Sequence, residues 1–275
     1  MLMHGTPGSR LGPHPRASQL YQQNIHLIAF DRPGYGGSDR LPGRRIADVA
    51  ADAAAVADEL GIDRFAVAGR SGGGPHALAV AALLPKRATR AAVLVGLAPF
   101  DAEGLDWFEG MALANQRDYS AASQSEAVVS LSLVAQAESI RTDPGRLLAR
   151  LDPDLPHPDR QVVMNLAIRT MLMDTYAEAL RESPDGWVDD VVALSRPWGF
   201  DPADIAVPVL LWHGERDVLV PVAHTRWLAD RIPGARAVVH PGAAHFGSLE
   251  ILPEVLSWLV SADDPRDAAA ARPSA

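Results

Sequence analysis

Apolar residues come in two rhythms along this chain. Short runs rich in apolar residues read as buried strands: Ile25–Phe30, Phe65–Gly69, Ala91–Gly96, Val207–Trp212 and Ala235–His240. Between them lie stretches of helical period. The span Ile46–Leu60 places Val49, Ala53, Val56 and Leu60 on one face and stops at Gly61. A second helix is predicted from Gly72 to Leu84, ended by Pro85, a third over Val222–Ile232 and a last over Leu249–Val260. Strands alternating with helices predict an α/β fold with a mostly parallel sheet. Right-handed crossovers then bring the loops that follow the strands to one edge, where ligands bind in open sheets.

The rhythm changes after Pro99. From about Leu105 to Leu194 the pattern is helical throughout, with a break at Asp152–Pro158. An all-helical stretch of this length inside an α/β chain predicts a cap over the loop edge. The expected division is an α/β core at 1–98 and 201–262, a helical cap at 99–200 and a disordered tail at 263–275. Trp107, Phe108, Met164, Met171 and Met173 are expected to pack in the core of the helical part.

Composition narrows the function. The 275 residues carry a formal charge of −9 and no basic cluster, which argues against nucleic acid as a partner. The absence of cysteine removes disulfides, thiolate nucleophiles and cysteine-ligated metals. No apolar run is long enough to cross a membrane and the start lacks a signal-peptide layout, so the expectation is a cytoplasmic protein without a membrane partner.

The candidate chemistry lies at Gly69-Arg70-Ser71-Gly72-Gly73, a G-x-S-x-G pattern between an apolar strand and a helix. There a serine stands on a sharp turn, and the helix beginning at Gly72 aims free amides at any oxyanion formed. Taken alone, the pattern is equally a glycine-rich turn. A serine hydroxyl needs a base to take its proton, and a histidine base needs a carboxylate to fix its tautomer. Asp217 and His245 each follow a later strand and so reach the same edge as Ser71. Asp101, after the strand Ala91–Gly96, is the rival acid. His240 reads as structural, His213 as bonded locally, and His76 as packed and satisfied; Asp31 and Arg32 read as braces of the loop edge.

With these pieces in view, the chain resembles the α/β-hydrolase superfamily over nearly its whole length. The matching segments are HGTPGS at 4–9, DRPGYGGSD at 31–39, GRSGGG at 69–74, HGERDVLVP at 213–221 and PGAAH at 241–245. The resemblance implies an α/β-hydrolase fold, Ser71 as nucleophile, His245 as general base and acid, and Asp217 as its orienting carboxylate. It also implies an oxyanion hole from the backbone N–H groups of Thr6 and Gly72, with His4 shaping that turn. The expected function is a carboxylesterase-like serine hydrolase acting through an acyl-enzyme on a small to medium apolar substrate, with no metal or organic cofactor. Three alternatives stand beside it: a proline-type aminopeptidase, a carbon–carbon bond hydrolase on the same residues, and a non-catalytic small-molecule-binding scaffold. The peptidase would hold its substrate's amine with acidic cap residues, for which Glu178 and Glu182 are candidates. Here Met1-Leu2-Met3 leads straight into the His4 loop, where the family has two further strands and most of a third. The expectation is that the true start lies upstream of Met1 and that Ile25–Phe30 forms an exposed strand edge.

Overall fold

The computed structural model describes residues 1–261; the tail expected at 263–275 lies outside them. Five strands form one parallel sheet in the order of the chain: β1 (Leu2–Met3), β2 (Phe65–Arg70), β3 (Ala88–Leu94), β4 (Val209–Gly214) and β5 (Arg236–His240). Side-chain alternation along the strands divides the core between the two faces. Phe65, Val67, Ala91, Val93, Val209 and Leu211 join one apolar cluster, and Ala68, Ala92, Leu94, Leu210 and Trp212 join the other.

The helices in chain order are α1 (Ala17–Gln22), α2 (Val49–Glu59), α3 (Gly73–Leu83), α4 (Leu113–Gln124), α5 (Glu126–Thr142), α6 (Gly145–Leu151), α7 (His157–Met164), α8 (Leu166–Ala179), α9 (Asp185–Leu194), α10 (Ala223–Arg231) and α11 (Ser248–Val260). Helix α3 packs with Val67 and Val93 through Leu78 and Val80. The opposite face is covered by Leu252, Val255, Leu256 and Leu259 of α11. The six helices α4–α9 all lie between β3 and β4 in sequence. None of the described helices is long and apolar enough to cross a membrane.

Several sequence expectations are corrected here. Ile25–Phe30 is no strand of the sheet: Leu2 N–H donates to Ile28 O at 2.8 Å, and two residues of β1 offer too little backbone for a ladder. The helix expected from Ile46 opens as a 3₁₀ turn, Ile46–Asp48, and ends at Glu59. Leu60 is therefore half exposed just before Gly61, whose φ of +66° ends the helix, and Ala50 and Ala57 are buried instead. The helical pattern expected from Leu105 to Leu194 has a further break at Asn165, whose side chain accepts from Ala167 N (3.1 Å) and Ile168 N (3.3 Å) as the N-cap of α8. Met164, at the end of α7, is 77% exposed rather than packed; Trp107 is buried as expected.

Candidate active site

Because all five strands are parallel, the His4 loop, Ser71, Asp217 and His245 follow the ends of β1, β2, β4 and β5 on one edge of the sheet. Ser71 stands between β2 and α3 with φ of +55°, in a region that non-glycine residues rarely occupy. Its N–H donates to Leu94 O at the end of β3 (2.9 Å) and its carbonyl accepts from Gly74 N–H (2.8 Å). The motif's outer glycines are required by close backbone approach. A Cβ on Gly69 would meet the backbone of Gly73 and stand 2.9 Å from Ala77 Cβ; one on Gly73 would stand 2.5 Å from His4 O.

His245 is buried and bonded through Nδ1 to Asp217 Oδ2 at 2.7 Å. Burial alone would raise the Asp217 carboxyl, but His245 and His213 hold it below the usual carboxylate range. An ionised carboxylate only accepts, so Nδ1 carries the proton and Nε2 keeps its lone pair. Leu219 N and Val220 N donate to the other oxygen of Asp217 at 2.8 and 2.9 Å. Burial lowers the His245 pKa, which keeps the imidazole neutral near pH 7. Ser71 and His245 line the same cavity, with Thr6, Gly8, Tyr119, Leu172 and Tyr176 among the other walls. Its volume is about 80 Å³, room for roughly three waters. Among the described residues no hydrogen bond joins Ser71 Oγ to His245, a looseness common in unliganded sites.

Thr6 and Gly72 are drawn together: a Cβ on Gly72 would lie against the Thr6 hydroxyl and 2.7 Å from Thr6 Cβ. Neither backbone N–H carries a hydrogen bond among the described residues. Two donors therefore stand free beside Ser71. The Thr6 loop is fixed by His4 and Arg32. Arg32 N–H donates to His4 Nε2 (3.2 Å), so His4 Nδ1 bears the proton and donates to Gly5 O (2.9 Å). Arg32 also donates to His4 O at 2.5 Å and Gly5 O at 3.1 Å.

Two acidic residues of the helical segment, which sequence reasoning missed, meet these loops. Asp190 of α9 is wholly buried and accepts from Arg32, Arg44 (2.6 Å), Tyr35 (2.9 Å) and Thr6 Oγ1 (2.5 Å). Burial would raise its pKa, but Arg32 and Arg44 hold it well below the carboxylate range. Asp159 of α7, also fully buried, accepts from His245 N (3.1 Å) and Phe246 N (2.6 Å). Burial, with the negative charge of Asp217 nearby, pushes its carboxyl up to about 7. Neither aspartate has a spacing signature, because their partners lie far away in sequence.

The remaining candidates separate clearly. Asp101 is exposed and lines a different, shallow cavity with Trp198 and Trp227. His213 is bonded locally, to Thr225 Oγ1 at 2.7 Å and Val220 O at 2.8 Å. His76 is packed but only half satisfied: Nδ1 donates to Gly72 O (2.8 Å), Nε2 makes no hydrogen bond among the described residues and lies 3.8 Å from Asp190 Oδ1, and burial lowers its pKa to about 3. His240 is exposed on β5. Glu178 is taken up by Arg10 (2.7 Å) and Arg181 (3.0 Å), while Glu182 lies past the end of α8. They share no helix face, and neither lines the cavity. No group of three or more potential metal ligands occurs among the described residues.

A family model described as alpha/beta hydrolase fold matches residues 1–250. The chain is 28% identical over 260 residues to the 2-hydroxymuconate semialdehyde hydrolase of Pseudomonas putida, covering 91% of this chain and 81% of that one. Among solved structures it resembles an alpha/beta hydrolase fold protein from Nakamurella multipartita (22% identity, TM-score 0.63, 94% and 91% of the chains covered). It also resembles the enol-lactonase from Burkholderia xenovorans LB400 (21% identity, TM-score 0.62, 94% and 88% covered).

Proposed function

Since the chain belongs to the alpha/beta hydrolase fold family, we propose that it is a serine hydrolase that cleaves an ester-type acyl bond through an acyl-enzyme at Ser71. The observation that carries this reading is the Asp217–His245 pair, joined at 2.7 Å, in the cavity that Ser71 enters from its φ of +55° turn. Deprotonated Nε2 takes the proton as Ser71 Oγ attacks the carbonyl carbon, and Asp217 stabilises the imidazolium that forms. The free N–H groups of Thr6 and Gly72 receive the oxyanion, an arrangement in which each donor is typically worth roughly 10²–10³ in rate. The imidazolium then protonates the leaving group, and water repeats the cycle to release the acid.

Residues 99–200 act in this reading as a cap. Tyr119, Leu172 and Tyr176 of α4 and α8 are among the walls of the cavity, and its small volume favours a short acyl group. Aminopeptidase activity finds no support in Glu178 and Glu182, which are held by arginines outside the cavity.

The test is labelling of the full chain with a fluorophosphonate probe, followed by a panel of esters, thioesters and amides. Labelling lost in Ser71→Ala, with turnover of short esters, supports the proposal. No labelling, or equal labelling of Ser71→Ala, removes it. The relative that is a 2-hydroxymuconate semialdehyde hydrolase favours a second reading, cleavage of a bond other than an ester. Labelling without turnover of any ester in the panel would support that one.

A further inference from the structure

Arg70 occupies the variable position just before the nucleophile, and its guanidinium is a buried cation without a carboxylate. Only 8% of the residue is exposed. Its Nε donates to Ser248 Oγ (2.7 Å) and Nη2 to His245 O (3.4 Å), and the guanidinium lies 5.2 Å from the Phe246 ring centre. The other deeply buried arginines of this edge, Arg32 and Arg44, both pair with Asp190. No such partner reaches Arg70 among the described residues. The acidic groups whose fields it feels, Asp159 and Asp217, are already committed to the backbone of 245–246 and to His245.

One guanidinium nitrogen is left over. Nη1 makes no hydrogen bond among the described residues, and Arg70 lines the cavity together with Ser71 and His245. A Cβ built on Gly5 would stand 3.9 Å from Nη1 and 3.6 Å from Ser71 Cβ, which puts Nη1 on the nucleophile's side of the cavity. Tyr176, on α8, lines the same cavity and is 6% exposed; its hydroxyl also lacks a partner among the described residues. Arg70 and Tyr176 are close enough for each to perturb the other's ionisation. A buried cation is costly until an anion pairs with it, and a carboxylate can accept from a guanidinium N–H and a phenol O–H together.

We propose that Arg70 Nη1 and the Tyr176 hydroxyl bind a carboxylate of the substrate, so that this cavity selects small monoanionic esters over neutral ones. The proposal rests on the serine-hydrolase reading above. The substrate's acid group sits at Arg70 while its scissile carbonyl meets Ser71, and the remaining bonds of Arg70 hold the His245 loop in place.

The experiment compares p-nitrophenyl hydrogen glutarate with its neutral methyl ester, which carries one more methyl group in place of the charge. In the wild type kcat/KM is expected to favour the anion by roughly 10- to 100-fold, the range for hydrogen bonds to a charged group. Arg70→Gln should bring that ratio to about one, Arg70→Lys should keep part of it, and Tyr176→Phe should lower it several-fold. Glutarate itself should protect wild-type Ser71 from the fluorophosphonate, less so at high salt, a readout that stands even where an Arg70 variant fails to fold. A wild-type ratio at or below one overturns the proposal. So does a ratio unmoved by Arg70→Gln while both rates fall, which would make Arg70 only a brace for the His245 loop. Absence of both labelling and turnover overturns the hydrolase reading and this proposal with it; turnover of both esters alike overturns this one alone.

Discussion

Asp159→Asn tests whether a proton sits between α7 and the histidine loop. In the wild type the buried carboxyl keeps its proton to about pH 7, against an ordinary value of 3.8. A carboxyl raised in this way stabilises the fold fully below the unfolded pKa, and that stability is lost as pH rises through the folded pKa. At 1.36 kcal/mol per pH unit the loss comes to about 4 kcal/mol, of which about 2–3 kcal/mol falls between pH 5 and pH 8. Asparagine does not titrate. Its carbonyl oxygen can serve one of the two N–H donors, His245 or Phe246, and its NH₂ faces the other, a pH-independent cost of about 1–3 kcal/mol. The groups facing Asp159, namely Asp217, Arg70 and His245, are the same in both proteins and cancel from the difference. Urea unfolding of both proteins at pH 5 and pH 8 should therefore show the variant gaining about 2–3 kcal/mol on the wild type across that interval. A difference constant to within about 0.5 kcal/mol would refute the reasoning.

Gly73→Ala should lower the melting temperature and abolish fluorophosphonate labelling, because its Cβ would stand 2.5 Å from His4 O. Asp190→Asn leaves Arg32 and Arg44 without their carboxylate and should cost about 3–5 kcal/mol in urea unfolding. Asp217→Asn should leave the circular dichroism spectrum unchanged while ester turnover drops by roughly 10⁴, since the wrong tautomer of His245 then faces Ser71. In the wild type the acid limb of kcat/KM should have its midpoint below the ordinary histidine value of 6.5, because burial favours the neutral imidazole. A midpoint at or above 6.5 would contradict the burial of His245.

The parts of the site that were legible in the sequence are those set by local chain geometry. Glycines at 69 and 73 around a serine between strand and helix mark a turn that only small neighbours permit, and the structure shows both glycines crowded by backbone. Asp217 and His245 could be placed on the serine's edge because parallel strands put all their following loops on one side. What could not be read were contacts across the molecule. Asp190 meets Arg32 from 158 positions away and Asp159 meets His245 from 86, and no periodicity encodes such a meeting. Helix ends were missed where a side chain decided them, as Asn165 does for α8. Ile25–Phe30 has a strand's composition but finds only a two-residue neighbour. Arg70 was visible in the motif, yet its lack of a carboxylate depends on what the fold places around it.

The burial of Asp190 also bears on how this protein could be recombined. Its carboxylate is the shared counter-charge of two arginines from the sheet side, while it also receives the hydroxyls of Tyr35 and Thr6. Helix α9 is thus no interchangeable part. A chimera that imports a foreign segment over 99–200 inherits two buried guanidinium groups facing whatever residue lands at position 190. The transplantable unit is the helical segment together with Thr6, Arg32, Tyr35 and Arg44, so the segment that walls the cavity and the loop beside Ser71 must be exchanged as one.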